Sequence, residues 1–350
     1  MRWSSACRLS VVLALAVSGP ATLRDAADRA GILVGTAVRP ALFSESAYSE
    51  TLGREFNMVE PEDAMKWYSV RREPEGFDFR DGDEVVRFAH AHGMKVRGHC
   101  LVWDHSNPRW LEDGQFTSVQ LAKMMQEHIS TVMKHYAGQV FAWDVVNEAL
   151  NEDGTFKDSI WYNKPGIGMA GKGSAYVEQA FRWAHEADPK ALLFYNENGG
   201  EGSGKKSDAI YAMVKVFKEH GVPIDGVGLQ THIKRLDYDT EAVRANIARL
   251  TALGLQVHIT ELDVSLPVDG RGVAQAEDLE RQAAVYRGVV HACVQNPGCT
   301  AIQTWGFTDK WSWIGSHSHH TRGAALPFDQ AYRPKAAYTA MLEKLAGRGK

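Results

Sequence analysis

The stretch Trp143-Asp144-Val145-Val146-Asn147-Glu148 decides how this chain folds, and Ile259-Thr260-Glu261-Leu262-Asp263 repeats its design. Each opens on an apolar, β-branched run of the kind a buried strand uses, and each then meets a glutamate. Burial explains the run but not the carboxylate, which at a strand's carboxyl end must face water or chemistry. For one glutamate alone, a surface ion pair is the simpler account. Two in matching positions point to a shared site.

Working outward, comparable runs occur at Ile32–Val38, Phe56–Val59, Lys95–His99, Phe141–Val146, Leu192–Tyr195, Val227–Gln230, Val257–Thr260 and Ala301–Trp305. Helical periodicity fills the spans between them. Leu121, Met125, Ile129, Val132 and Tyr136 trace one apolar face, and Val243, Ile247 and Leu250 another. Several helices stop at glycine before the next strand, as at His92-Gly93, His220-Gly221 and Leu253-Gly254. Eight apolar strands alternating with helices imply parallel strands buried on both faces. The simplest such α/β arrangement is a single (β/α)8 TIM barrel, expected over residues 22–350.

Chemistry in such a barrel comes from the carboxyl ends of the strands. There the sequence places Glu62 and Lys66 after the second run, His99 and Trp103 at the third, and Asn147 and Glu148 at the fourth. Gln230 and His232 close the sixth run, Glu261 and Asp263 the seventh, and Trp305 the eighth. Strand packing does not dictate which end is polar, so this one-ended distribution implies a long aromatic-lined cleft. Two glutamates in that setting are what a retaining glycosidase needs, one as acid/base and one as nucleophile.

Composition narrows the partners. The chain is 44% hydrophobic and 23% charged with a net charge of -4, an ordinary soluble composition without the polycationic footprint of nucleic-acid or anionic-membrane binders. Ten Trp and eleven Tyr exceed what packing tends to need, and aromatic faces suit sugar rings. Residues 1–21 read as an export signal: Arg2 and Arg8 form a basic start, Leu9–Val17 is apolar, and Gly19-Pro20-Ala21 ends on a small residue. The apolar stretch is too short to anchor in a bilayer, so a secreted protein, extracellular or periplasmic, is expected. Cys293 and Cys299 flank the turn Asn296-Pro297-Gly298, which could close a small disulfide loop, whereas Cys100 reads as a buried free thiol. No cysteine pair has zinc-site spacing, and no metal or cofactor is expected.

At its strand ends the sequence resembles the xylanases of glycoside hydrolase family ten. The resemblance spans residues 23–346 and rests on the two opening motifs. Met65-Lys66-Trp67, Gly98-His99, Leu101-Val102-Trp103, Gly228-Leu229-Gln230-Thr231-His232 and Trp305-Gly306-Phe307-Thr308-Asp309 support it. It implies a retaining endo-β-1,4-xylanase acting on a polysaccharide without a cofactor, with a monomer sufficing. Glu148 would be the acid/base and Glu261 the nucleophile. His232 would hydrogen-bond the nucleophile with Asp263 orienting it, and Asn147 would bind a sugar hydroxyl. Glu62, Asp63, Lys66, His99, Trp103 and Gln230 would bind sugar on the glycone side, with Trp305 and Trp313 as aromatic walls. The family often carries a disulfide where Cys293 and Cys299 stand. Proximity of two carboxyls implies that Glu261 raises the proton affinity of Glu148.

The match departs from the family where sugar is gripped. Asp63 stands where Asn is usual, Asp104-His105-Ser106 replaces His-Ser-Gln, Asn198 replaces a Tyr, and Lys164–Gly173 reads as an enlarged Gly-rich loop. An ionised Asp only accepts hydrogen bonds, so weaker glycone binding is expected at Asp63. Another retaining β-glycanase or β-glycosidase, acting on a different β-1,4-glycan or on short xylo-oligomers, is the alternative. A non-catalytic carbohydrate-binding homologue is less in keeping with two retained carboxylates. The cluster His317, His319 and His320 reads as a solvated loop at the cleft edge rather than a metal site, and Trp110 and Trp161 as barrel packing.

Overall fold

Eight parallel strands close on themselves. They are β1 (Leu33–Val38), β2 (Met58–Pro61), β3 (Lys95–Gly98), β4 (Val140–Asn147), β5 (Leu192–Glu197), β6 (Gly226–Leu229), β7 (Gln256–Val264) and β8 (Cys299–Thr304). Neighbours pair in sequence order, and β8 pairs with both β7 and β1 to complete the ring. The computed structural model describes residues 22–347, so the expected export signal at 1–21 lies outside them. Each apolar run of the sequence coincides with a barrel strand to within a few residues. The largest differences are β2, displaced toward Pro61, and β7, which continues to Val264 because the short strand His232–Ile233 pairs beside its end.

Helices cover the barrel's outside. The face of Leu121, Met125, Ile129, Val132 and Tyr136 is buried along the helix Ser118–His135. Its start is fixed by a capping box, in which Thr117 accepts from the Gln120 amide and Gln120 accepts from the Thr117 amide. Burying each aliphatic side chain of such a face contributes about 1.5–3 kcal/mol, which holds helix to barrel. Val243, Ile247 and Leu250 are buried on the helix Thr240–Thr251 in the same way. Cys293 and Cys299 form a disulfide from the end of the helix Ala276–Val294 to the start of β8, and Cys100 is a buried free thiol.

The inside of the barrel is less apolar than the runs suggest. Glu60, Arg97, Asp144, Asn196, Thr260 and Gln303 are all fully buried on strands. Two glycines make room for them and their neighbours. A Cβ on Gly98 would lie 2.3 Å from the Trp143 ring, and one on Gly228 would lie 2.1 Å from Asn196 Oδ1. The second matters for the site, since β5 and β6 pair with Asn196 opposite Gly228. Among the described residues, no helix is long and apolar enough to cross a membrane.

Candidate active site

A cleft of about 1060 Å³ crosses the carboxyl ends of the strands. Glu62, Lys66, His99, Trp103, Asn147, Glu148, Gln230, His232, Glu261, Trp305 and Trp313 all line it. The lining runs on past the two glutamates to Glu152, Asn198, Tyr238 and Ala242. Residues as distant in sequence as Glu62 and Trp313 thus meet only because the strands end on one rim.

Glu261 is held from two sides on β7. His232 Nε2 lies 3.0 Å from one of its oxygens, and Asn196 donates to the other at 2.8 Å. The His232 ring is itself oriented through Nδ1, 2.9 Å from Asp263 Oδ2, and Trp313 donates to that same Asp263 oxygen at 2.9 Å. The backbone explains how His232 arrives there. Thr231 takes a left-handed φ of 68°, and its amide is caught by the buried Glu201 at 2.9 Å. The chain turns, then pairs His232 beside Asp263. Burial disfavours an imidazolium at His232, but the carboxylates of Asp263 and Glu261 outweigh it and raise its pKa well above the ordinary value.

Glu148 is held by different means. It leaves the end of β4 with φ of 54°, a left-handed conformation that costs a residue with a side chain about 1–3 kcal/mol. Hydrogen bonds on either side hold that turn. The Glu148 amide donates to Asn196 O at 2.9 Å, the Ala149 amide to Tyr195 Oη at 3.2 Å, and the Leu150 amide to Glu197 Oε2 at 3.1 Å. Gln230 Nε2 donates to Glu148 Oε1 at 2.9 Å, and Lys157 Nζ lies 3.4 Å from Oε2. The net shift of Glu148 runs opposite to the one expected from Glu261, because these contacts outweigh it. Burial pushes the Glu148 carboxyl up, but the Gln230 hydrogen bond and the Lys157 charge prevail and hold its pKa below the usual glutamate value.

A chain of hydrogen bonds joins the two carboxylates. Gln230 Nε2 bonds Glu148 and also Asn147 Oδ1 at 3.2 Å, and Asn196 Nδ2 bonds Asn147 Oδ1 at 2.9 Å as well as Glu261. Asn196 was not singled out in the sequence. The signal was Gly228, a glycine in mid-strand that makes room for a neighbouring side chain. Below the cleft, Arg97 pairs with both Asp144 and Glu60, and His99 Nδ1 lies 2.9 Å from Asp144 Oδ2. Glu60, His99 and Asp144 place possible ligand atoms within 4.8 Å of one another, but Arg97 already supplies the positive charge there.

At one end of the cleft, Lys66 sits between two indoles, its Nζ 5.0 Å from the Trp103 ring centre and 5.6 Å from that of Trp305. Arg39, not anticipated from the sequence, donates twice to Glu62 at 2.7 Å. Asp63 does not line the cleft. It borders a separate depression of about 650 Å³, and its Oδ1 accepts from Lys66 Nζ at 3.0 Å and from the Tyr68 hydroxyl. Asp63 is thus a partner of Lys66 rather than a residue of the cleft wall, and burial is overcome by Lys66 and Tyr68 to keep its carboxyl low.

The remaining departures separate cleanly. His105 and Asn198 line the cleft, whereas Ser106 is buried with its hydroxyl on Trp103 O at 2.9 Å. No residue of the 164–173 loop reaches the cleft, and Ile167 and Met169 fold back onto the core. His317 lines the cleft, while His319 and His320 are exposed beside it. Trp161 is buried against Trp67, and Trp110 packs on the core, as their positions implied.

Comparison with known proteins agrees with this geometry over almost the whole chain. The model of glycosyl hydrolase family 10 matches residues 22–344. Endo-1,4-beta-xylanase B of Thermotoga neapolitana is 39% identical over 324 residues, covering 92% of this chain and 90% of that protein. The native xylanase 10B structure from Thermotoga maritima superposes with a TM-score of 0.86 at 40% identity, covering 93% of this chain and 98% of the other. Xylanase 10B from Thermotoga petrophila RKU-1, solved with xylobiose, gives 0.87 at 39% identity over 93% and 97% of the two chains.

Proposed function

The chain belongs to glycosyl hydrolase family 10, and from that premise we propose that it is a retaining endo-β-1,4-xylanase that cuts internal bonds of xylan by double displacement. The observation that carries this reading is the pair of strand-end glutamates on one cleft, each with its own distinct set of partners. In the first step the Glu261 carboxylate bonds to the anomeric carbon as Glu148 gives its proton to the departing glycosidic oxygen. In the second, Glu148 takes a proton from water, whose oxygen displaces Glu261 and restores its carboxylate. A glycan filling the cleft removes water from Glu148, and that desolvation favours the neutral acid against the pull of Gln230 and Lys157.

The arm containing Lys66, Trp103 and Trp305 is read as the glycone side, where Glu62, Lys66, His99 and Gln230 offer polar contacts between indole walls. The lining beyond Glu148, out to Tyr238 and Ala242, supports internal cutting, since sugars are accommodated on both sides of the bond. Both glutamates and their supporting residues come from one barrel, so a single chain suffices as the catalytic unit. Residues 1–21 are read as an export signal for a secreted enzyme.

Product analysis tests the reading. Incubation with xylan should release a series of short xylo-oligomers, with little release of sugar from mixed-linkage β-glucan. Preferential release from the glucan would move the assignment to another glycan. In Glu148→Ala with an aryl xylobioside, added azide should speed turnover and yield the β-glycosyl azide. An α-azide would mean inversion and overturn the double displacement.

A further inference from the structure

Lys157 is part of a small, well-braced device. Leu150 and Phe156 bridge antiparallel, Gly154 turns the chain with φ of 86°, and the Asn151 amide donates to Thr155 O at 2.7 Å. Asp153 clasps Thr155 through its amide at 3.0 Å and its hydroxyl at 2.6 Å, and Phe156 packs on Tyr162 with ring centres 5.2 Å apart. The returning arm is then fixed by the Lys157 amide on Ala149 O at 2.9 Å. This hairpin begins just after Glu148 and delivers its ammonium back to Glu148 Oε2. The two oxygens of one carboxylate are therefore covered by different chemistries, a neutral amide at Oε1 and a cation at Oε2.

We propose that Lys157 is a positioning residue that sets the balance between the acid and base halves of Glu148's work. This rests on the reading of Glu148 as the acid/base. An ammonium at Oε2 favours the carboxylate, the form that takes a proton from water in the second step, over the carboxylic acid that expels the leaving sugar in the first. Other charges face Glu148 from the elements around it. His105 and Asp104 come from the turn after β3, Glu197 from β5, and Glu261 from β7 across the cleft. His105 is itself near Asp104, at 3.8 Å, and the buried Glu197 is paired with Lys206 at 3.1 Å. Among the described residues, Lys157 is the cation in direct contact with Glu148, and the depressed Glu148 pKa fits that contact.

The test compares the full mature enzyme with Lys157→Gln and Lys157→Arg. The alkaline limb of kcat/KM on a xylo-oligosaccharide reports loss of the acid form. The acidic limb of kcat on dinitrophenyl xylobioside, where release of the glycosyl-enzyme limits, reports loss of the base form. In Lys157→Gln both limbs should move up together by about one pH unit, a tenfold change in proton binding, and Lys157→Arg should restore them. A merely structural role would lower rates without moving either limb. Unmoved limbs in a variant with unchanged circular dichroism and thermal unfolding would overturn the proposal. Glu148→Ala separates this failure from a deeper one. If that variant lacks the alkaline limb while Lys157→Gln leaves it in place, only the role of Lys157 falls. If Glu148→Ala keeps the parent's pH profile, the acid/base reading falls and takes the role of Lys157 with it.

Discussion

Glu261 and Glu148 stand on the same rim, yet the structure secures them in opposite ways. Glu261 lies within an ordinary strand, and its side chain is clamped by His232 and Asn196, with Asp263 and Trp313 behind. Glu148 stands beyond a strand end in a strained conformation, where the backbone is the part held fast, its own amide on Asn196 O and the next two amides on Tyr195 and Glu197. Among the described residues, the Glu148 side chain bonds one amide, that of Gln230, and one lysine, delivered by a hairpin. In the proposed mechanism Glu261 forms and breaks a bond at one carbon, and such a group gains from fixed aim. A group that must hold a proton in one step and not in the next gains from adjustable charge.

The sharpest way to break this comparison is to remove each carboxylate. Glu261→Ala should lose about five orders of magnitude on every substrate, whatever the leaving group, because no covalent intermediate forms. Glu148→Ala should lose about 10²–10⁴-fold on glycans but far less in the first step on dinitrophenyl xylobioside, whose leaving group needs no proton. Steady-state and pre-steady-state rates on both substrates decide it. Equal losses for the two variants across both substrates would erase the distinction.

A smaller effect is expected at His232, which belongs to the clamp on Glu261. His232→Asn should lower kcat about 10–100-fold on good and poor leaving groups alike, since aim is needed in both steps. Its raised pKa also makes a stability statement. The folded protein binds this proton more tightly than the unfolded chain, so the contribution is full below the ordinary histidine value and fades as pH rises through the folded-state pKa. The gap in thermal unfolding between wild type and His232→Asn should therefore narrow toward alkaline pH. A gap that widens would mean that the ring is neutral in its bonds to Glu261 and Asp263.

The clamp was largely legible in the sequence, and the tuning apparatus was not. Glu261, Asp263 and His232 sit at strand ends in local motifs, and a polar group that ends an apolar run is conspicuous. Asn196 and Glu197 also end a run, but both are polar neighbours on one strand and nothing local says which reaches the site. Glu60, Arg97 and Asp144 lie inside strands read as apolar, and only closure of the ring shows that they neutralise one another. Lys157 is the hardest to foresee. Its place depends on the register of a hairpin, and a one-residue slip would turn it to the other face. Asp63 shows the converse: it was expected among the cleft residues, but it borders a neighbouring depression and reaches the cleft only through Lys66.

Asp63 gives the smallest expected effect and carries the comparison to the proposed glycone arm. From its residue type alone, Asp63→Asn should improve sugar binding by adding a donor. The structure reverses that sign. Lys66 is buried between Trp103 and Trp305, and Asp63 is the carboxylate that meets its ammonium, at 3.0 Å. An Asn oxygen can still accept from Lys66 and Tyr68, so the geometry should survive while the charge that steadies the ammonium is lost. The Asp63 side chain is 50% exposed, so water screens the pair and the loss should be about 0.5–1 kcal/mol. KM on xylotriose should then rise about two- to fivefold with kcat little changed, because Lys66 is aimed less well and Glu261 and Glu148 are untouched. A lower KM would return Asp63 to the cleft wall, whereas a matching fall in kcat would tie Lys66 to the transition state. Either result would place fixed aim, the property assigned to the Glu261 clamp, at a different point along the same cleft.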